Sequence, residues 1–227
     1  MNEATTDGTG HRARLRERLL DDGGDALFDH EIVEYLLALA IPRRDTKPLA
    51  KKLLHEFNGI AGLLAADAGS LLAVDGLGAA GAAALKIVQV ASARMLEAGI
   101  AGRPVLSSWQ ALLDYLHADM AHSAVERVRV LHLNGKNVLI RNELVSEGSI
   151  DQAAVHVREV IKRAIELGSA SLILVHNHPS GDPSPSKADI ALTRSIAEAG
   201  RPLGILIHDH IVIGASGSAS LRAMGLI

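Results

Sequence analysis

The chain has 227 residues, nearly half of them apolar, enough for one sizeable domain or two small ones in series. It contains no cysteine, so disulfides, thiol nucleophiles, iron–sulfur ligation and cysteine-held zinc are excluded, and any metal must be taken by His, Asp or Glu. A net charge of −3 with the histidines neutral supplies no global positive field to recruit nucleic acid.

Residues 1–10, MNEATTDGTG, read as a disordered polar tail without the apolar stretch of a secretory signal. A helical pattern then fills 11–98, with stops expected at Gly23-Gly24, Ile41-Pro42, Asn58-Gly59 and Gly76-Leu77-Gly78. Residues 30–40, HEIVEYLLALA, place apolar groups at helical spacing. Residues 46–57, TKPLAKKLLHEF, start with Thr46 as the expected N-cap and Pro48 in the first turn. No apolar run approaches the roughly 20 residues of a bilayer span. The expectation is a soluble, cytoplasmic protein that makes no membrane contact.

The stretch 99–104, GIAGRP, reads as a linker, and the character changes beyond it. Residues 108–120 are expected as a helix. Residues 125–133 and 137–145 are expected as two strands joined by Asn134-Gly135, a hairpin signal. Residues 153–167 form an amphipathic helix with Val157, Val160, Ile161 and Ile165 on one face, ended by Gly168. The continuous apolar run 171–175, SLILV, suits a buried strand. A helix over 189–199 and a strand over 204–213 follow. Strand–helix–strand alternation argues for an α/β or α+β domain over about 105–227.

His176-Asn177-His178 follows directly on the buried strand. Side chains repeat every two residues on an extended backbone, so both imidazoles can converge on one ion. The segment from Pro179 to Ser186 is dense in turn formers and must reverse the chain. It leads into a helix whose first turn carries Asp189, where the positive helix end keeps a carboxylate ionised. Two His and one Asp leave a fourth tetrahedral position open, the pattern of a catalytic rather than a structural zinc site.

His176-x-His178, seven residues, Ser186, two residues and Asp189 together resemble the JAMM motif of the MPN/JAB-domain metallohydrolases. The longer string HNHPSGDPSPSKAD, with HVREVIKRAIELG before it and HDHIVIG after it, resembles the bacterial RadC family, the "DNA repair protein RadC" group. The resemblance covers almost the whole chain. It implies a three-layer α/β/α JAB/MPN domain, cytidine-deaminase-like, over 105–227. It implies one Zn²⁺ per chain held by His176, His178 and Asp189, with Ser186 steadying an oxyanion. Ser186 also stands three residues before Asp189, where an N-cap would be, and the two roles are compatible.

The JAMM family uses a Glu upstream of the His pair as general base. Glu126, Glu143, Glu147 and Glu159 are the candidates; Glu126, which opens the first strand, is preferred and Glu147 stands next. His208 and His210 are expected on one face of their strand and Asp209 on the other, in a structural or ligand-orienting role. His122, His132 and His156 read as ordinary surface or core histidines.

Residues 72–82, with Gly76-Leu77-Gly78 at their turn, resemble a helix-hairpin-helix, whose backbone N–H groups can hold a DNA phosphate. Ala79, Ala80 and Gly81 stand where such motifs carry Lys or Arg, which weakens the phosphate term. The basic residues Arg12, Arg14, Arg16, Arg18, Arg43, Arg44 and Lys47 are a further possible patch, with Lys51 and Lys52 extending it. Two readings follow. One is a JAMM-type zinc metalloprotease, a peptidase or isopeptidase acting on a peptide or protein substrate. The other is a repair or recombination accessory module that binds DNA weakly and without sequence preference through the helical region. A zinc nucleoside deaminase is set aside, because its cysteine ligands are missing.

Overall fold

The structure, a computed structural model, describes residues 7–100, 102–148 and 155–227. The chain divides into two units, one through Ala91 and one from Ser92.

In the first unit the turn formers cut the helical pattern where expected. Among the described residues it yields α1 (Asp7–Asp21), α2 (Asp29–Ala40), α3 (Lys47–Glu56), α4 (Ile60–Ala65), α5 (Ala68–Ala73) and the start of α6 (Gly78–Ile100). Gly23, Asn58, Gly59, Gly76 and Gly78 carry the positive φ values that end or redirect the chain. The expected tail differs: residues 1–6 lie outside the described residues, and Asp7 to Gly10 already belong to α1. Thr46 also differs. Its hydroxyl does not cap α3 but donates to the Glu34 carbonyl at 2.8 Å, while the Asp45 carboxylate accepts the Lys47 N–H. Val33, Leu37, Leu49, Leu53, Leu63, Leu71 and Leu85 close a core between these helices. Each such side chain contributes about 1.5–3 kcal/mol on burial.

The helix α6 runs through both units and ends at Ile100, so the first two residues of the expected 99–104 linker are helical. By length and composition alone it is long and apolar enough to cross a membrane, although charged residues interrupt it and no unbroken apolar run in it approaches a span's length. Its apolarity is largely Ala and Gly, and it carries Lys86, Arg94 and Glu97. Ala82 and Leu85 pack into the helical core, and Ile100 packs into the core of the second unit.

The second unit continues with α7 (Trp109–Met120), β1 (Glu126–Leu133), β2 (Leu139–Gly148), α8 (Val157–Glu166), β3 (Ser171–Asn177), α9 (Lys187–Gly200), β4 (Leu206–Gly214) and β5 (Gly217–Ser220). One sheet has the order β2-β1-β3-β4-β5, with β3 and β4 parallel and the other pairs antiparallel. Alternation sorts its two faces. Leu131, Leu133, Ile173, Val175, Ile211 and Ile213 pack with Leu112 and Leu116 of α7. Val130, Leu172, Leu174 and Ile207 pack with Val160, Ile161 and Ala164 of α8 and Ile196 of α9. This is an α/β fold in three layers, and β3 at its centre is wholly buried.

Three local expectations are corrected. The turn from β1 to β2 is longer than a two-residue Asn-Gly hairpin. Asn134 accepts the Lys136 and Val138 N–H groups on Oδ1, and Asn137, not Gly135, takes the left-handed conformation. In α8 the buried face is Val160, Ile161 and Ala164, while Ile165 lies one position around the helix and is exposed. In β4 one extra residue interrupts the β3 ladder, since Leu172 pairs with Ile207 but Ile173 with Asp209. His208 is that residue. Ile207 and His210 therefore face α9 together, and His208 instead bonds Asn137 Oδ1 through Nε2 at 2.6 Å.

Candidate metal centre

The SLILV run forms β3 because its aliphatic side chains are buried on both faces, and that strand delivers His176 and His178 at its end. Their Nε2 atoms lie 2.9 Å apart. Asp189, in the first turn of α9, brings Oδ1 to 3.5 Å from His176 Nε2 and Oδ2 to 3.9 Å from His178 Nε2. These are the three residues that the motif singles out, and they form a cluster able to hold a metal ion.

The protons around the cluster can be assigned from the partners. His178 Nδ1–H has the Asp182 carbonyl as acceptor at 2.8 Å, which leaves the lone pair on Nε2. On the other side Thr193 donates its hydroxyl to the Asp189 carbonyl at 2.6 Å, so Oγ1 accepts from His210 Nδ1–H at 2.6 Å. His210 Nε2 then accepts from His176 Nδ1–H at 2.8 Å. Burial, helped by the nearby His176, pushes His210 down to about 3, so it stays neutral as this chain requires. His176 is thereby left with its own lone pair on Nε2. Two lone pairs facing each other at 2.9 Å beside a carboxylate make a site for a cation.

The donor set fits Zn²⁺. Bond lengths of about 2.0–2.2 Å give a tetrahedral ligand edge of about 3.4 Å, which lies between the 2.9 Å separating the two Nε2 atoms and the 3.5 and 3.9 Å from them to Asp189 Oδ1 and Oδ2 respectively. Burial opposes ionisation of the Asp189 carboxyl, yet a positive charge at His176 Nε2, carried by a proton there or by a metal ion in its place, and the Ser186 contacts hold it well below the usual carboxylate range. It is ionised, as a ligand must be.

Ser186 is the N-cap of α9. Its Oγ accepts the Asp189 N–H at 3.2 Å and donates to Asp189 Oδ2 at 2.7 Å, and its own N–H meets the same oxygen at 2.7 Å. The hydroxyl proton is therefore engaged by Asp189 in this state. The loop between His178 and Ser186 rests against the end of β4, where a Cβ on Gly214 would stand 2.3 Å from the Gly181 carbonyl oxygen. Only glycine permits that approach, and the Ser216 hydroxyl completes the contact by donating to Gly181 O.

Glu126 begins β1 and lines the same cavity of about 500 Å³ as His176, His178, Ser186, Asp189 and His210, with Val128, Val155 and Leu192 as apolar wall. The other candidates are held elsewhere. Glu147 pairs with Arg127, Glu143 with Arg163 and Glu159 with Arg158. A larger hollow of about 840 Å³, lined by Trp109, His208 and Arg222 among others, contains Asp209, but that carboxylate is already bonded to Ser220 and the Arg222 N–H. Two residues of the centre carry no role in the motif reading. Thr193 anchors the His210 chain, at a spacing of one helical turn from Asp189. Asn177 is buried and faces away from the cluster, with its amide directed at the main chain around Glu126.

Comparison with known proteins covers both units. Residues 106–226 match the family described as RadC-like JAB domain, and residues 9–83 match the UPF0758 N-terminal family. A UPF0758 protein of Rhodobacter capsulatus is 51% identical over 213 residues, spanning 94% of this chain and 100% of its own length. A UPF0758 protein of Ruegeria pomeroyi is 48% identical over 217 residues, 96% of this chain and 97% of its own.

Proposed function

Because this chain belongs to the RadC-like JAB domain family, we propose that it is a zinc-dependent metallohydrolase, a JAMM-type peptidase or isopeptidase that cleaves an amide bond. The observation that carries the reading is the convergence of two imidazole lone pairs and one ionised carboxylate on a single point. His176, His178 and Asp189 hold the ion. When bound, Zn²⁺ acts as a Lewis acid on the scissile carbonyl and lowers the pKa of coordinated water to about 7. Glu126 takes a proton from the attacking water on a carboxylate oxygen and returns it to the leaving amine. Ser186 hydrogen-bonds the oxyanion, for which its hydroxyl must turn away from Asp189 Oδ2. The cysteine-free composition suits a reducing, cytoplasmic setting.

Purified protein is expected to hold about one Zn²⁺ per chain by elemental analysis, and His176→Ala to lose it. Full occupancy in that variant would remove the idea. Glu126→Gln is expected to keep the metal while its hydrolysis of a peptide and isopeptide library falls by about 10²–10⁴-fold.

A second reading, weak binding of DNA by the helical unit, is favoured by one observation. The turn between α5 and α6 lacks cations of its own, but Arg44 donates to the Gly76 carbonyl and Lys52 to the Asp75 carbonyl. Positive charge is thereby supplied beside the α6 N-terminus. Fluorescence titration with duplex DNA at two salt concentrations tests it, with affinity expected to fall as salt rises; no binding at low salt sinks it.

A further inference from the structure

We propose that Asn177 is the positioning residue of the general base, fixing the direction in which Glu126 leaves the main chain; this rests on the metallohydrolase reading above. The ladder between β1 and β3 ends at Val128 opposite His176. Glu126 and Arg127 lie beyond that last rung, paired with Gly148 and Glu147 of β2 on one edge but with no strand partner on the β3 edge. The Asn177 side chain takes over where the ladder stops. Its Oδ1 accepts the Arg127 N–H at 2.9 Å, and its Nδ2 donates to the Val125 carbonyl at 3.1 Å and the Ser123 carbonyl at 3.4 Å. Only one orientation of the amide meets a donor with its oxygen and two acceptors with its nitrogen, so the assignment is unambiguous.

The Val125 carbonyl belongs to the peptide plane before Glu126, and the Arg127 N–H to the plane after it. A residue has two soft backbone dihedrals, one toward each plane. Holding both planes fixes both dihedrals, and with them the Cα–Cβ direction of Glu126. Asn177 is fully buried and sits covalently between His176 and His178. The alternation that turns the two imidazoles toward the ion turns the amide to the opposite side, where the chain enters β1. One tripeptide therefore supplies two of the three candidate metal ligands and positions the base. A near-attack geometry tolerates errors of well under about 1 Å, so the coupling matters to the reaction and not only to the fold.

The test uses the full chain loaded with Co²⁺ in place of Zn²⁺, read by metal content and by the pH midpoint of the visible spectrum. Glu126→Gln is expected to shift that midpoint. Asn177→Ala, which touches neither ion nor substrate, is expected to retain the metal and shift the midpoint in the same direction by a comparable amount. The double variant is expected to shift it no further than Glu126→Gln alone, since a positioning residue has nothing left to position. Asn177→Ser, whose hydroxyl can reach one plane but not both, gives a milder disturbance to the fold and an intermediate shift. Metal uptake with an unmoved midpoint in both Asn177 variants overturns the proposal and leaves the metallohydrolase reading standing. So does a shift that adds in full to that of Glu126→Gln. Absence of metal uptake by the unaltered protein overturns the metallohydrolase reading itself.

Discussion

His132 shows how one buried group makes the fold sensitive to acid. It lies fully buried on β1, with Nδ1 at 2.9 Å from the Ser169 hydroxyl and Nε2 at 3.7 Å from Glu143 Oε2. Among the described residues Nε2 has no hydrogen-bond partner. Burial pushes its pKa below the ordinary value; Glu143 pulls it back up, and Arg163 and Arg141 oppose that pull. The folded protein therefore keeps His132 neutral where the unfolded chain protonates it. Between the folded value and the unfolded value of about 6.5, the unfolded state binds more protons, so stability rises with pH there. It is fully present above the unfolded value and is lost as pH falls below it, with a limiting slope of about 1.4 kcal/mol per pH unit for one proton. His132→Asn retains a polar atom for Ser169 and removes the titration. Melting temperature followed from about pH 7.5 to 5.5 (about one unit either side of an ordinary His) is expected to fall less steeply in the variant. Equal slopes would assign the acid sensitivity to other groups.

At the scale of elements, what could be read from the sequence was what is encoded locally. Helix stops at Gly23, Asn58, Gly59 and Gly76 follow from single residues that tolerate positive φ, and β3 follows from an unbroken aliphatic run. The candidate metal cluster is legible for the same reason, because one strand, one turn and one helix start carry all three residues within fourteen positions, 176–189. The features that are not encoded locally depend on partners distant in the chain. His208 leaves the alternation because β4 must accommodate an extra residue against β3, and nothing in GILIHDHIVI marks it. Thr46 forgoes its cap because the carbonyl of Glu34, on another helix, offers a buried partner. Glu126 is the clearest case. Its place beside the candidate ligands depends on β1 lying antiparallel to β3, and an amide fifty-one residues later, at Asn177, bonds the main chain on either side of it. No spacing rule contains that information.

For the molecule as a whole, the two units have separate cores, and the proposed metal belongs to only one of them. A ligand that binds only the folded state stabilises it by mass action, by about 2.7 kcal/mol when its free concentration is 100 times its dissociation constant. Removing the metal with a chelator is thus expected to weaken the unit from Ser92 onward and leave the helical unit as it was. Leu53→Ala, in the helical core, should do the converse at a cost of about 2–5 kcal/mol. Hydrogen exchange read by mass spectrometry separates the two, with chelation expected to accelerate exchange in β3, β4 and α9 while α2 and α3 keep their rates. The decisive segment is α6, which contributes Ala82 and Leu85 to one core and Leu96 and Ile100 to the other. Isolated helices shorter than about 15 residues are marginal in water, so each half of α6 depends on the core it packs into. Its C-terminal half should therefore open with the metal-dependent unit, ahead of residues 78–91. Acceleration along the whole of α6 and into α2 and α3 on chelation would mean that the two units unfold as one.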